Sequence, residues 1–251
     1  MAAIGVALSV AAATACAQPI AVPNGSFESQ VAGLPTLVDT RIDSWSKVPK
    51  PAYFDETAFG FLWDQTAGVF LNPVDPYANL DGNQAAYLLS FPQVTLFQDY
   101  NSMDWDDAQP SHDFNALYEP GKAYQLTVGV FGKQMVEGAT LDLSLYYRDS
   151  GDNIVPVNST TVTYAAANFP TNEPLSLVEF QVNVPTVLAG DAWANQNIGI
   201  KLESTFGSGS GYWDIDNVRL TAVPEPSTLV LVGVGLGGGW LLIRRRTRPK
   251  R

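Results

Sequence analysis

The sequence predicts an all-β chain whose central part forms a β-sandwich. Between Val22 and Thr221, apolar and polar residues alternate in short segments, as they do in half-buried strands. Clusters of turn residues separate these segments, and no stretch has the periodicity of a long amphipathic helix. Roughly eight to ten short strands without helices are typical of a jelly-roll sandwich, which is therefore the predicted fold.

The clearest strand contains Leu141, Leu143 and Leu145, because polar residues occupy the alternate positions. It stops at the sequence Asp-Ser-Gly-Asp at 149–152, which favours a hairpin turn. The predicted strands are Ala85–Phe91, Val94–Asp99, Ala123–Gly132, Thr140–Arg148, Asn158–Tyr164, Leu175–Val184, Ile198–Ser204 and Tyr212–Thr221.

The N-terminus has the pattern of a secretory signal peptide at residues 1–17. An apolar stretch is followed by Ala15, Cys16 and Ala17, a small-x-small cleavage site before Gln18. We therefore predict export. The alternative of a lipoprotein acylated on Cys16 fits less well, because Ala13 stands where a large aliphatic residue is usual. Cleavage after Ala17 removes the only cysteine, so no disulfide would stabilise the mature domain.

The charge of the central region restricts the possible partners. Between Gln18 and Val223 there are eight Lys or Arg residues and twenty-four Asp or Glu residues, a net charge of −16. Such a surface repels phosphate backbones, so nucleic acid is not an expected partner. Divalent cations and neutral ligands such as sugars are compatible with it.

The C-terminal residues 223–251 consist of three parts. The first part is a Pro-rich motif made of Val223, Pro224, Glu225, Pro226, Ser227 and Thr228. The second, residues 229–243, has no charge and is predicted to form one transmembrane helix, although its length of about 22 Å is marginal for a membrane core of ~30 Å. The third, residues 244–251, is basic, and it predicts that the C-terminus lies in the cytoplasm.

This order of motif, apolar segment and arginines resembles the PEP-CTERM sorting signal of exopolysaccharide-producing Gram-negative bacteria. The resemblance implies that an exosortase, a membrane-embedded cysteine protease, recognises Pro-Glu-Pro and releases or transfers the protein. The chain would then be anchored in the inner membrane before processing and reach the cell envelope, cell surface or exterior afterwards. The alternative is a plain membrane anchor preceded by a proline linker. The predicted sandwich domain spans residues 18–222.

A second resemblance involves the two ends of this domain. The sequences VPNGSFES at 22–29 and GYWDIDNVRLTAV at 211–223 resemble the first and last strands of galactose-binding-like jelly rolls, which include many carbohydrate-binding modules. The resemblance implies a structural calcium bound by Glu28 and Asp216. Calcium prefers carboxylate and carbonyl oxygens, and here it would join the first strand to the last. In the alternative interpretation both residues are turn or capping residues of a metal-free fold.

Trp45, Tyr53 and Trp63 lie in a Pro-rich stretch and are the candidate sugar-binding residues, because sugar C–H faces stack on aromatic rings. The alternative is an aromatic core beneath long loops. The acidic segment 99–115 is interpreted as a solvated loop, with a second calcium site or a ligand loop as alternatives. No nucleophile motif is present, so we predict that the protein is not an enzyme.

Three function classes follow from these observations. The preferred one is an exported protein that binds carbohydrate or serves as a matrix component in exopolysaccharide or biofilm. The second is a structural or adhesive matrix protein without a sugar site. The third is a calcium-dependent enzyme on the same fold.

Overall fold

The computed structural model describes residues 17–29, 38–72, 77–102, 114–171 and 174–224, and these form the predicted all-β sandwich. Residues 1–16 of the predicted signal peptide, residues 225–251 of the C-terminal signal and most of the acidic loop lie outside the described residues. The strands are β1 (Gln18–Ile20), β2 (Val38–Asp39), β3 (Ser46–Lys47), β4 (Ala67–Leu71), β5 (Gln84–Leu89), β6 (Val94–Gln98), β7 (Lys122–Lys133), β8 (Thr140–Arg148), β9 (Ile154–Thr163), β10 (Val178–Val184), β11 (Gly199–Phe206) and β12 (Tyr212–Pro224).

The described strands form two antiparallel sheets. Seven strands make one sheet in the order β10-β7-β12-β5-β4-β2, with β1 also paired to β12, and five make the other in the order β3-β6-β11-β8-β9. Leu143 and Leu202 of the five-stranded sheet are fully buried, as are Val128 and Ile215 of the seven-stranded sheet. The core therefore lies between the two sheets, where the apolar side of each strand is removed from water.

All eight predicted strands are present, with boundaries that differ by a few residues. The strand Thr140–Arg148 is as predicted, whereas β12 continues to Pro224, three residues beyond the predicted end. The strands β1 to β4 were not predicted. The first three have only two or three residues, and in β4 four successive residues are buried, so none of them shows a clear alternation.

The single described α-helix, α1 (Glu56–Phe59), is one turn long. Its N-terminus is capped by Asp55, which accepts hydrogen bonds from two backbone N–H groups, and it ends at Gly60 in the left-handed conformation. No helix among the described residues has both the length and the apolar character needed to span a membrane.

Strand β12 changes partners along one edge. It pairs with β5 over Tyr212–Ile215 and with β1 over Leu220–Ala222, while β7 occupies its other edge along most of its length. The ladder with β7 shifts register between Asp216 and Arg219, which indicates a bulge at the position of the partner change. Backbone from the N-terminal turn enters there, because the Val218 N–H donates to the Gly25 carbonyl at 2.9 Å.

Candidate functional site

An open cleft with a volume of about 420 Å³ lies where strands β6 and β8 end. Its walls come from the turn after β6, the β8–β9 hairpin and the loop before β11. The lining residues are Tyr100, Tyr147, Arg148, Asp149, Ser150, Ala192 and Gln196. The hairpin was predictable from the sequence but the cleft was not, because the walls of the cleft are far apart along the chain.

A buried carboxylate fixes one wall of this cleft. Asp99 Oδ2 accepts hydrogen bonds from the Tyr146 hydroxyl at 2.6 Å and from Arg148 Nε at 2.7 Å. Arg148 Nη1 also donates to the Asp152 carbonyl at 3.0 Å. Burial acts to lower the pKa of Arg148, but the hydrogen bond and charge of Asp99 outweigh it and raise the pKa. Arg148 therefore remains charged and is held by the protein itself.

Asp149, the second charged residue of the wall, also forms its hydrogen bonds within the protein. Its Oδ1 accepts hydrogen bonds from the backbone N–H groups of Asn153 at 2.9 Å and Gly151 at 2.8 Å. These bonds, the one from Asn153 first, hold the pKa of Asp149 below its usual value. The carboxylate thus stabilises the hairpin turn, as short acidic side chains commonly do.

The other polar side chains of the cleft belong to Tyr100, Tyr147, Ser150 and Gln196. None of the four makes a side-chain hydrogen bond to another described residue. The cleft thus offers uncharged donors and acceptors next to two aromatic rings, and Tyr100 is 39% exposed. This combination suits a ligand that has both hydroxyl groups and apolar C–H faces.

Two of the three predicted sugar-binding residues lie in the core. Trp45 is 3% exposed and Trp63 is 7% exposed. Their indole N–H groups donate to backbone carbonyls, that of Trp45 to Asn24 at 3.1 Å and that of Trp63 to Val48 at 2.9 Å. For these two tryptophans the structure agrees with the alternative interpretation, an aromatic core beneath long loops. With the polar N–H satisfied inside the protein, burying the rings is favourable.

Tyr53 is exposed, with 46% of its surface accessible. Its hydroxyl donates to the carbonyl of Pro92, in the turn before β6, whereas the cleft begins after β6 ends. The structure therefore places Tyr53 and the cleft at opposite ends of this strand. Tyr53 joins an aromatic cluster with Phe54, which also contacts Phe59 and Phe61.

Glu28 and Asp216 approach the same short segment, residues 81–84. Glu28 Oε1 accepts hydrogen bonds from the N–H groups of Asn83 at 2.7 Å and Gln84 at 2.6 Å. Asp216 Oδ2 accepts one from the N–H of Asp81 at 2.7 Å. Residues 22–29, which resemble the first strand of galactose-binding-like jelly rolls, form a turn here, and the Gly25 carbonyl of this turn accepts a hydrogen bond from the N–H of Val218, two residues after Asp216.

Gly82 allows the close approach of this segment to Glu28. Its φ is +112°, and a Cβ at this position would lie 2.5 Å from the Glu28 carboxylate. The sequence Asp-Gly-Asn at 81–83 is a turn signal, and it is the local pattern from which this segment could have been predicted.

Asp216 has the unusual electrostatics of a buried carboxylate. The residue is fully buried, and its Oδ1 has no hydrogen-bond partner among the described residues. Burial raises the pKa of Asp216 to about 7, and the charges of Asp81 and Glu28 act in the same direction. Within the described ranges, no group of three or more His, Cys, Asp or Glu side chains is arranged to hold a metal ion. The calcium site therefore stays a prediction.

The end of β12 leads into the C-terminal motif. Val223 is the register partner of Ala123, and Pro224 is the partner of Lys122. A family profile described as the PEP-CTERM protein-sorting motif matches residues 222–246. The chain carries a PEP-CTERM sorting motif. Since the match begins at Ala222, the PEP-CTERM motif starts inside the last strand, and the predicted boundary between residues 222 and 223 divides that strand.

The chain also resembles solved structures. A cyclase from Fischerella sp. TAU is 20% identical with a TM-score of 0.54, and the match covers 83% of this chain and 98% of the cyclase. A CBM22-1–GH10 fragment of xylanase 10B from Clostridium thermocellum is 13% identical with a TM-score of 0.41, covering 74% of this chain and 27% of that chain. The similarity to the cyclase is one of fold alone. No curated protein sequence matches the chain significantly.

Proposed function

We propose that the described domain is a carbohydrate-binding module of an exported PEP-CTERM protein, and that sugar binds in the cleft at Tyr100 and Tyr147. The observation that carries this proposal is the set of uncommitted groups in the cleft. The lining includes the rings and phenol hydroxyls of Tyr100 and Tyr147, the hydroxyl of Ser150 and the carboxamide of Gln196, and none of these side chains makes a hydrogen bond to another described residue. Aromatic rings stack on sugar faces while such polar groups hydrogen-bond the sugar hydroxyls.

Charge favours a neutral glycan as the ligand. Arg148 is held by Asp99, and Asp149 is held by its own turn, so neither is free to pair with a charged sugar. The region from Gln18 to Val223 has a net charge of −16, which repels polyanions. The carboxylates of Asp99 and Asp149 both accept hydrogen bonds from the protein itself. Because neither is available as an acid or base, this arrangement supports binding without catalysis.

The sorting motif determines where this binding would take place. We propose that an exosortase processes the chain after export, and that the released or transferred domain acts in the extracellular polysaccharide at the cell surface. The N–H of Val187 donates to the carbonyl of Lys122, the register partner of Pro224. The loop that continues from Val187 lines the cleft, so the cleft and the sorting motif are at the same end of the sandwich. Release from the membrane would give a polymer access to that end.

A structural calcium at Glu28 and Asp216 is part of the same proposal. Asp216 Oδ1 is buried without a hydrogen bond from the described residues, so it could bind a cation without losing one. A cation would also offset the mutual repulsion of Glu28, Asp81 and Asp216. Such an ion would join the N-terminal turn to β12. Its contribution would be to the stability of the domain and not to a chemical reaction.

The test is binding of a chain spanning residues 18–224 to the producing organism's own extracellular polysaccharide, measured by calorimetry and by affinity electrophoresis. Tyr100→Ala should weaken binding about tenfold, which corresponds to about 1.4 kcal/mol. For comparison, removing an aromatic side chain that stacks on a nucleic-acid base costs roughly 1–3 kcal/mol. Tyr53→Ala is the matched control, since it removes an exposed tyrosine at the other end of β6. Equal far-ultraviolet spectra would establish that both variants are folded.

Three results would contradict the proposal in different ways. No binding by the unmodified domain would favour a structural matrix protein without a sugar site. Loss of binding only in Tyr53→Ala would move the site to the aromatic cluster. Preferred binding to a uronic-acid polymer over a neutral polymer would leave carbohydrate binding intact but contradict the neutral specificity.

A further inference from the structure

Strand β12 enters the sorting motif without an intervening linker. The motif match begins at Ala222, and the strand continues through Val223 to Pro224. Ala123 and Lys122 of β7 are the register partners of the last two residues. The Pro-Glu-Pro sequence therefore begins with a residue that belongs to the folded sheet.

The last three residues of the strand differ in how many neighbouring strands they pair with. Ala222 is paired on both edges, with Gln18 of β1 and Tyr124 of β7, and is 4% exposed. Val223 is 38% exposed and is paired only on the β7 edge among the described strands. Pro224 has no N–H to contribute to a ladder. The strand is consequently well anchored up to Ala222 and weakly held beyond it.

We propose that the sorting protease gains access to this protein only after Val223 and Pro224 separate from β7, and that Ala222 limits this opening. A peptide that is paired in a sheet cannot at the same time pair with an extended binding groove, so local opening must come first. Opening beyond Ala222 would expose Leu220, which is 1% exposed, and would break the β1 ladder. This proposal rests on the sorting motif and is independent of sugar binding.

A disulfide staple tests the opening in the full chain, expressed in a Gram-negative host that has an exosortase. Val223→Cys with Ala123→Cys closes the end of the strand. Thr221→Cys with Gln125→Cys is the matched control, because it is the register pair two residues away and on the same face of the sheet. Non-reducing gels establish that each disulfide forms, and immunoblots follow conversion of precursor to processed protein.

We expect the 223–123 staple to slow processing about tenfold and a reductant to restore it, whereas the 221–125 staple leaves the rate unchanged. A second variant does not depend on disulfide formation. A flexible Gly/Ser segment of about six residues between Ala222 and Val223 should accelerate processing, and the same segment after Gly190 should not. Unchanged processing of the stapled 223–123 chain, equal slowing by both staples, or no effect of the insertion at 222 would overturn the proposal.

Discussion

Gln18 and Ala222 are register partners in the antiparallel ladder between β1 and β12. Signal-peptide cleavage after Ala17, as the sequence predicts, would make Gln18 both the N-terminus and the first residue of β1. The predicted N-terminal processing point thus lies beside the beginning of the sorting motif. In this arrangement β1 covers the part of the β12 edge that β5 leaves open.

Removing β1 should destabilise the domain. A chain beginning at Val22 loses the ladder over Gln18–Ile20, and each lost hydrogen bond contributes about 0.5–1.5 kcal/mol. We expect the free energy of unfolding to fall by roughly 1–3 kcal/mol relative to a chain beginning at Gln18. Urea unfolding followed by tryptophan fluorescence measures the difference. Identical midpoints would mean that β1 contributes nothing to the stability of β12.

Trp45 and Trp63 should behave as core residues. Replacing either with alanine leaves a large cavity, and we expect a loss of about 3–5 kcal/mol in the free energy of unfolding. Tyr53→Ala should cost less than about 1 kcal/mol, because nearly half of Tyr53 is already exposed to solvent. Chemical denaturation of the three variants measures these values. A stable Trp63→Ala protein with weakened sugar binding would support the aromatic platform inferred from the sequence.

The stability of the metal-free domain should depend on Asp216. Its pKa rises from the ordinary 3.8 to about 7 in the folded state, so between these values the folded protein keeps a proton that the unfolded chain has released. The free energy of unfolding therefore falls as the pH rises from about 4 to about 7, and this contribution is constant at higher pH. Denaturation in chelator at a series of pH values measures the effect. Asp216→Asn should flatten the curve, and an equal slope in this variant would exclude Asp216 as its source.

Calcium should raise the melting temperature of the domain by several degrees at pH 8, where Asp216 is charged in the absence of metal. A cation that binds only the folded state stabilises it in proportion to the logarithm of its concentration above the Kd. Differential scanning calorimetry with added calcium or with chelator measures the shift. Glu28→Gln and Asp216→Asn should each reduce it. A melt that is insensitive to calcium, with no metal in the purified protein, would contradict the proposed calcium site.

Much of the fold was predictable because strand periodicity is a local property. Leu141, Leu143 and Leu145 alternate with polar residues, and β8 has the predicted bounds. Strand β4 was missed because Ala67 to Phe70 are all buried, so the segment has no polar face to reveal its period. The pairing of Glu28 with Asp216 came from a resemblance. The structure brings both to residues 81–84, where each accepts backbone hydrogen bonds, and no local sequence pattern indicates this contact.

By itself, the sequence determined the all-β class and the sorting motif, because both depend on the order of residues that are adjacent in the chain. Only the tertiary structure decided that Trp45 and Trp63 are buried, that Tyr100 and Gln196 share a cleft, and that the motif begins inside β12. Burial and clefts arise when segments distant in the chain pack together. Their geometry depends on sheet pairing and side-chain packing across the whole domain, which residue order alone does not specify.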